Sequence, residues 1–558
     1  MLYSHNSSPL ATDLMSIEIT VFPGGQTLTC PSGVRLHEAL ARVGGSLTTP
    51  CGGNGTCGKC AVRVAPGQAL HGKQTITSEV LACQHVVREP LTVWLSEESR
   101  PSDVTQILTS HLALNDLSFN YQSRTVDAEE KEKEYVIAVD LGTTTLVAEL
   151  ICRFTQRSCG VQSCRNPQAG FGDDVISRIQ YASESPENAV RFRMAVVDAI
   201  NDLISSLARD EPVSPEEIMQ IAIAGNTTMQ QLFAGLDVRS LGHSPFEPAV
   251  MNYPPTRAAD YGVAIHTEGL AQLFPVIGGF VGGDLVAGII ATSLCSLDAP
   301  SLLIDIGTNG EIILWRPDGL LLATATAAGP AFEGARISQG MIAAPGAIER
   351  VAVGDDLRVE TIGNQSARGI CGSGLIDLVA ELVRIDAITS AGKLLTGRQL
   401  PESVPDAIHD RFVRVDSKPA FVVVQQNESG IGRPILLTQH DIRQVQLAAG
   451  AIRAGVTLLL RKAGMQPGDL ANVFLAGGFG NYIRRENAQQ IGLLPPEIPT
   501  TRIHFCGNTS LAGAKAVLLS TACCNAMQQV ADKAECVDLS KFPDFSTVFA
   551  ESMFFPQP

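Results

Sequence analysis

Residues 16 to 22 alternate apolar and polar, the period-two pattern of a strand with one buried face, and Gln26 to Cys30 can pair back on them after a Gly-Gly turn. Leu36 to Arg42 has helical spacing, and Cys60 to Val64 and Leu91 to Leu95 supply further strands. This set of short strands with one helix predicts a small β-grasp (α+β) domain over residues 15–96. Ahead of it, residues 1–14 are polar and pattern-free, which predicts a disordered leader. Behind it, residues 97–133 are charged and weakly patterned and end in the run Asp127-Ala-Glu-Glu-Lys-Glu-Lys-Glu134. They read as a linker with one helix at Val104 to Ala113.

From Tyr135 the pattern changes to long α/β units. Tyr135 to Val139 is a buried strand that runs into Asp140-Leu-Gly-Thr-Thr-Thr145, and a second strand follows at Leu146 to Cys152. About 160 residues later the same grammar returns: Ser301 to Ile304 runs into Asp305-Ile-Gly-Thr-Asn-Gly-Glu311, followed by the strand Ile312 to Trp315. A hairpin joined through Asp-x-Gly-Thr and found twice predicts a duplicated α/β fold, two similar halves with a cleft between them. The expected division is a middle domain at 134–240 carrying the first turn and a C-terminal domain at 241–558 carrying the second. A third element, the short strand Asn472 to Leu475, leads through Ala476-Gly-Gly-Phe-Gly480 into a helix near Asn481. Asp441 to Arg461 is amphipathic, with Thr438 placed as its N-cap.

Composition narrows the classes. A chain of 558 residues is long enough for several packed domains, and its net charge of −16 disfavours nucleic acid and anionic membrane surfaces as partners. The start lacks a basic segment followed by an apolar one, and the longest apolar stretch, Ile277 to Leu294, is broken by Asp284 and glycines. No signal peptide or membrane span is expected. Most of the 14 cysteines are scattered and form no disulfide framework, the usage of a reduced, cytoplasmic protein.

Four cysteines are different. Cys51, Cys57 and Cys60 in Cys-Gly-Gly-Asn-Gly-Thr-Cys-Gly-Lys-Cys have spacings close to the plant-type ferredoxin pattern, and Cys83 in Leu-Ala-Cys-Gln completes a set of four. Gly52, Gly53, Gly55 and Gly58 allow the tight turns that aim backbone N–H groups at sulfide. Zinc sites are usually built from two short-spaced pairs, so the loop predicts a 2Fe-2S cluster instead. The tail offers only Cys523, Cys524 and Cys536, which is not cluster spacing. Cys152, Cys159 and Cys164 read as packed thiols, and Cys371 receives no chemical role.

Turns rich in Gly and Thr expose N–H groups and hydroxyls that can cradle phosphate, while an Asp at the strand end can hold hydrated magnesium. The candidates are Gly142, Thr143 and Thr144 in one turn and Gly307, Thr308 and Asn309 in the other, with Asp140 and Asp305 as the carboxylates. Gly477, Gly478 and Phe479 belong to a glycine loop where a base and ribose could approach the backbone. Asp284 either caps a helix starting at Leu285 or contacts magnesium or its water. Glu333, in Gly-Pro-Ala-Phe-Glu-Gly, has a ribose or base contact as its functional option. His440-Asp441 reads as a helix start, and no histidine falls in a metal-ligand or triad pattern.

The order of these loops is similar to the superfamily that unites acetate and sugar kinases, heat-shock chaperone ATPases and actin, whose ATPase core is RNase H-like. From Met15 onward the chain resembles the reductive activators of corrinoid proteins. The resemblance rests on the cysteine loop, Val139 to Thr145, Asn166-Pro-Gln168 with Gly172 to Arg178, and Ala224-Gly-Asn-Thr-Thr-Met229. It continues through Gly279 to Asp284, Asp305 to Glu311, Gly329 to Gly334, Gly369 to Gly374 and Ala476 to Asn481. It implies ATP-dependent reduction of cobalt(II) to cobalt(I) in a corrinoid protein of a methyltransferase system, with electrons carried by the 2Fe-2S cluster and Mg-ATP held by the loops. The implied partners are that corrinoid protein and an upstream electron donor, with a homodimer left open. There is no Asp-x-His-x-x-Gly loop of the kind many corrinoid proteins use to ligate cobalt, so the cobalamin belongs to the partner. The residues alone leave two other classes open: a small-metabolite kinase with a redox-sensing iron-sulfur domain, and an electron-transfer module whose ATPase fold only docks a partner.

Overall fold

The computed structural model describes residues 16–22, 26–41, 47, 60–67, 78–95, 134–172, 174–211, 213–477 and 483–556. The leader at 1–14, the linker at 97–133 with its helix, Cys51 and Cys57, and Gly478 and Phe479 lie outside the described residues. Contacts divide the chain into two compact units, Met1–Ser102 with Pro167–Asp173, and Asp103–Asn166 with Asp174–Pro558.

In the first unit, β1 (Ser16–Phe22) pairs antiparallel with β2 (Gln26–Pro31), and α1 (Leu36–Ala41) follows. β3 (Ala61–Pro66), β4 (Ser78–Leu81) and β5 (Leu91–Leu95) complete a five-stranded sheet in the order β2-β1-β5-β3-β4. β5 runs parallel to β1 and antiparallel to β3, the mixed arrangement expected of a β-grasp. Alternation decides its inner face: Ile17, Ile19 and Val21 pack with Leu36, Leu40, Val62 and Val93. Cys60 sits just ahead of β3, not within it as its apolar neighbours suggested.

The second unit opens with an antiparallel meander, β6 (Tyr135–Leu141), β7 (Thr145–Cys152) and β8 (Ser158–Arg165). The helices α2 (Val175–Glu184) and α3 (Pro186–Asp210) lead to β9 (Ile218–Gly225), which returns parallel to β6 and runs into α4 (Thr227–Phe233). After β10 (Thr256–Arg257) and α5 (Ala258–Tyr261), β11 (Leu270–Leu273) lies parallel to β9 and is followed by α6 (Gly283–Ala291).

The second half begins with the meander β12 (Ser301–Ile306), β13 (Gly310–Trp315) and β14 (Leu321–Thr326). An insertion then carries two three-stranded sheets. The first contains β15 (Ala347–Val353), β16 (Leu357–Thr361) and β17 (Gly369–Ile370) and is followed by α7 (Gly372–Arg384) and α8 (Asp406–His409). The second contains β18 (Phe412–Val415), β19 (Lys418–Val424) and β20 (Ile435–Thr438) and ends in α9 (Gln439–Lys462), whose N-cap is Thr438 in a capping box with Asp441. β21 (Asn472–Ala476) returns parallel to β12, and α10 (Arg485–Gln490) precedes β22 (Ile503–Gly507); the helix start expected near Asn481 lies outside the described residues. α11 (Thr509–Leu519), α12 (Thr521–Lys533), β23 (Glu535–Cys536) and α13 (Phe545–Ser552) finish the chain.

The duplication is plain in strand order. One sheet reads β10-β11-β9-β6-β7-β8 and the other β22-β21-β12-β13-β14-β23, so β11-β9-β6-β7-β8 corresponds to β22-β21-β12-β13-β14. The division expected at 240/241 is therefore corrected, because β10 and β11 lie beyond it and still belong to the first sheet. One hydrophobic cluster spans both halves, with Val136, Ala224, Leu285, Val286, Leu303, Leu511 and Val517 among its members. α6 and α11 approach closely at its centre: a Cβ on Gly513 would lie 2.1 Å from the Ala287 carbonyl oxygen, a contact only glycine permits.

Candidate functional site

The two predicted turns face one cavity. Asp140 is the penultimate residue of β6 and Asp305 that of β12, and strand pairing places Asp305 opposite Glu311 across the second hairpin. The cavity, of about 230 Å³, is lined by Asp140, Gly142, Thr143, Thr144, Asp284, Asp305, Gly307, Thr308, Asn309 and Gly477, so every sequence-predicted site residue that is described in this unit is brought together. Gly477 has φ +97°, and a Cβ there would lie 2.3 Å from the Ile306 carbonyl oxygen and 2.8 Å from Asp305 Oδ1. Any side chain at 477 would push into the second turn.

Each turn closes on itself. Gly142 N–H donates to the Thr145 carbonyl at 3.1 Å, and Gly307 N–H to the Asn309 carbonyl at 2.9 Å. Two asparagines absent from the predicted set then grip the first turn. Asn226 caps α4 through Oδ1, accepting from Met229 N–H, and turns its Nδ2 to Thr143 Oγ1 at 2.8 Å. Asn508 caps α11 in the same way, accepting from Leu511 N–H, and donates Nδ2 to Asp140 Oδ2 at 2.8 Å. A signal was present: Gly225-Asn-Thr-Thr228 and Gly507-Asn-Thr-Ser510 are near-identical strand-to-helix junctions. Asn166, in one of the quoted motifs, donates Nδ2 to the Gly142 carbonyl at 2.8 Å.

Asp284 is neither a plain cap nor a distant surface group. α6 starts at Gly283, earlier than expected, with Gly282 at the N-cap, so Asp284 lies inside the first turn, where its Oδ1 accepts from Leu285 N–H at 2.8 Å while it lines the cavity. Glu333, for which a ribose or base contact was the functional option, has its carboxylate accepting from Thr144 Oγ1 at 2.5 Å and Thr308 Oγ1 at 2.6 Å. Cys371 stands at the N-cap position of α7 without a side-chain capping bond, its thiol 3.1 Å from the Ile348 carbonyl, and does not line the cavity.

Carboxylates dominate the electrostatics. Burial, and then the charge of Asp140, push Asp305 up to about 7, while burial and the charge of Asp305 push Asp284 up to about 8. Burial also raises Glu311, with Asp284 and Asp305 adding to it. Burial raises Asp140 too, against the hydroxyl of Ser510 and the amide of Asn508, which favour its charged form. Among the described lining residues none is Lys or Arg. Such a donor set suits a hard divalent cation. Among the described residues no three His, Cys, Asp or Glu side chains converge on a point where an ion could be held. The buried Thr509 hydroxyl, also lining the cavity, has no hydrogen-bond partner among the described residues, as expected where a polar ligand binds.

In the first unit, Cys60 and Cys83 are buried with their sulfurs 3.3 Å apart, well outside the disulfide bond length of about 2.05 Å. Gln84 Nε2 lies 3.7 Å from Cys83 Sγ. Two adjacent buried thiols with an N–H donor beside one of them fit the chemistry of an iron-sulfur ligand set. Cys523 and Cys524 lie on α12 and Cys536 on β23.

Together a thiol-lined β-grasp and a two-turn α/β cavity define an iron-sulfur protein joined to an ATPase-like fold, and comparison with known proteins agrees. The model of the 2Fe-2S iron-sulfur cluster binding domain matches residues 19–88, that of the RACo middle region 135–296, and that of the C-terminal domain of RACo, the ASKHA domain, 299–558. The chain belongs to the RACo family of reductive activators of corrinoid proteins. It is 31% identical to the corrinoid activation enzyme RamQ of Eubacterium limosum, over 93% of this chain and 96% of that protein. It is 26% identical to the [Co(II) methylated amine-specific corrinoid protein] reductase of Methanosarcina barkeri, over 72% of each chain. A solved structure of a reductive activator for corrinoid, iron-sulfur protein superposes with a TM-score of 0.69 at 31% identity, covering 97% of this chain and 98% of that one.

Proposed function

We propose that this chain reduces a corrinoid protein from cobalt(II) to cobalt(I), one electron at a time, in a reaction driven by ATP within a methyltransferase system. The observation that carries the reading is the pairing, in one chain, of the Cys60–Cys83 thiol pair with a carboxylate-rich cavity between two Gly-Thr turns. The names of the relatives at 31% and 26% identity support the substrate class. Among the described residues no helix is long and apolar enough to cross a membrane. The scattered cysteines support a reducing, cytoplasmic setting for the reaction.

Cys51, Cys57, Cys60 and Cys83 would hold a 2Fe-2S cluster, which supplies one-electron transfer at roughly −400 mV for plant-type centres. Cobalt(II) corrinoids demand a lower potential than that, so the electron must be coupled to something else. Binding of Mg-ATP can favour a complex in which the cobalt environment is altered, by no more than its differential affinity for the two states. In this reading the N–H groups and hydroxyls of Gly142, Thr143, Thr144, Gly307, Thr308 and Asn309 take the phosphates. Asp140, Asp305 and Asp284 hold hydrated magnesium, and Gly477, Gly478 and Phe479 border the adenosine. Residues 97–133 link the two parts. A corrinoid protein is the substrate, an upstream reductant refills the cysteine-held centre, and a homodimer is compatible with the scheme.

Anaerobic protein with a strong reductant, ATP, magnesium and a cognate cobalt(II) corrinoid protein tests this by visible absorption. The cobalt(II) band should give way to the cobalt(I) band, and omission of ATP or the change Cys57→Ala should slow it severely. Equal rates without ATP would leave an electron carrier. Phosphorylation of a small acceptor in the same assay would make the chain a kinase.

A further inference from the structure

Glu333 stands between the two phosphate turns. It ends the short 3-10 turn Pro330–Glu333, between Gly329 at φ 79° and Gly334 at φ 76°, which carries its carboxylate into the cavity. One oxygen, Oε2, accepts the Thr144 hydroxyl at 2.5 Å, and the other, Oε1, accepts the Thr308 hydroxyl at 2.6 Å. Thr144 belongs to the first hairpin turn and Thr308 to the second. A threonine hydroxyl has a single proton to give, so in this geometry both protons are committed to Glu333. An anion that accepts one O–H from each turn has the chemistry of two oxygens of a phosphate.

We propose that Glu333 is an internal stand-in for a nucleotide phosphate, competing with it for the hydroxyls of Thr144 and Thr308 and thereby setting the affinity for Mg-ATP. The inference rests on the nucleotide reading above and adds to it a residue that opposes binding. A purely structural clamp is disfavoured because both turns are closed without Glu333, through Gly142 N–H to Thr145 and Gly307 N–H to Asn309. Thr143 is separately tied to Asn226. Charge points the same way: Asp140, Asp284, Asp305, Glu311 and Glu333 all line the cavity, so a phosphate drawn to the two threonines meets one more negative group there. Displacing Glu333 then costs two charge-assisted hydrogen bonds, which the phosphate recovers from the same two hydroxyls.

The test measures affinity for Mg-ATP and for adenosine by calorimetry, on the full chain and on its Glu333→Gln variant, with thermal melting and the visible cluster spectrum as checks of folding. Glutamine keeps the size, loses the charge and offers a single carbonyl oxygen, so it can accept from both threonines only by sharing that atom. Mg-ATP should bind on the order of tenfold tighter to the variant, the worth of one hydrogen bond to a charged group, while adenosine affinity stays unchanged. Equal or weaker Mg-ATP binding by a folded variant overturns the inference, as does an equal gain for adenosine. If Glu333→Gln does not fold, Glu333→Asp serves: its shorter reach cannot span both turns, so it should give a smaller gain in the same direction, and a loss overturns the proposal. A wild-type chain that binds no Mg-ATP overturns the nucleotide reading and this inference with it; wild-type binding with an unaltered variant overturns this inference alone.

Discussion

The Asp140 turn and the Asp305 turn share the Asp-x-Gly-Thr pattern and the same place in a hairpin, yet the protein supports their carboxylates in opposite ways. Asp140 receives the Asn508 amide at 2.8 Å, and its neighbours Gly142 and Thr143 are held by Asn166 and Asn226. The Asp305 carboxylate receives no hydrogen bond among the described residues, and Asp305 faces Glu311 across the hairpin and the charge of Asp140 across the cavity. A duplicated fold thus gives one carboxylate with a side-chain donor and one that burial and a neighbouring charge hold toward its neutral form. Equal sequence motifs do not make equal sites, because a carboxylate's preference for its charged form depends on the donors brought to it from elsewhere.

The largest effect that bears on this contrast should come from removing divalent cations. With five lining carboxylates and no described Lys or Arg in the wall, ATP without magnesium should bind on the order of a hundredfold more weakly, or not at all, in calorimetry with a chelator present. Undiminished binding would mean that the carboxylates do not depend on a cation.

Next come the two aspartates themselves. Asp140→Ala and Asp305→Ala should each cripple ATP turnover, but their melting temperatures should part. Asp140→Ala strands the Asn508 amide and should cost about 1–3 kcal/mol. Asp305→Ala, in chelator at pH 8, should be neutral or stabilising, since it removes a carboxylate that burial and the Asp140 charge oppose. If both variants melt equally low, the asymmetry is wrong.

A pH series sharpens the same point. Asp305 is raised to about 7 and Asp284 to about 8 in the folded chain, so protonation stabilises the fold and that contribution is lost as pH rises from about 4 toward those values. Without magnesium the melting temperature should therefore fall between about pH 4 and 8, and Asp305→Ala should flatten the fall more than Asp140→Ala. Saturating magnesium should flatten it in the wild type.

The smallest effects belong to the capping amides. Asn226→Ala should cost about 1 kcal/mol as a lost N-cap, and Asn508→Ala more, because its other hydrogen bond goes to a carboxylate. Equal losses in urea unfolding would argue that Asp140 is not charged in the magnesium-free protein.

Much of the fold could be read from local pattern. The strands at Tyr135, Leu146, Ser301, Ile312 and Asn472 were recognisable from buried apolar runs, and the structure extends each of them by one or two residues, mostly toward the turns, where Asp and Gly weaken the apolar signal but still pair. Thr438 as the cap of α9 was legible because a cap and its helix are neighbours. The division near 240 was misread because β10 and β11 are very short and join the first sheet only through β11 pairing onto β9 and β10 onto β11. Glu333 was left open for a similar reason: the sequence placed it in a glycine-rich turn but could not say which group that turn would meet.

By itself, then, the sequence determined the cysteine spacing, the two Asp-x-Gly-Thr hairpins and the order of the elements, since these depend on residues within a few positions of one another and on side-chain periodicity. Only the tertiary structure decided which groups surround each carboxylate. Asn508 reaches Asp140 across 368 residues of chain and Glu333 reaches Thr144 across 189, because parallel strands must return through long crossovers and the α6–α11 packing sets where those crossovers end. Hydrogen bonds of that span leave no periodic trace in the sequence, and they fix the charge balance of the cavity.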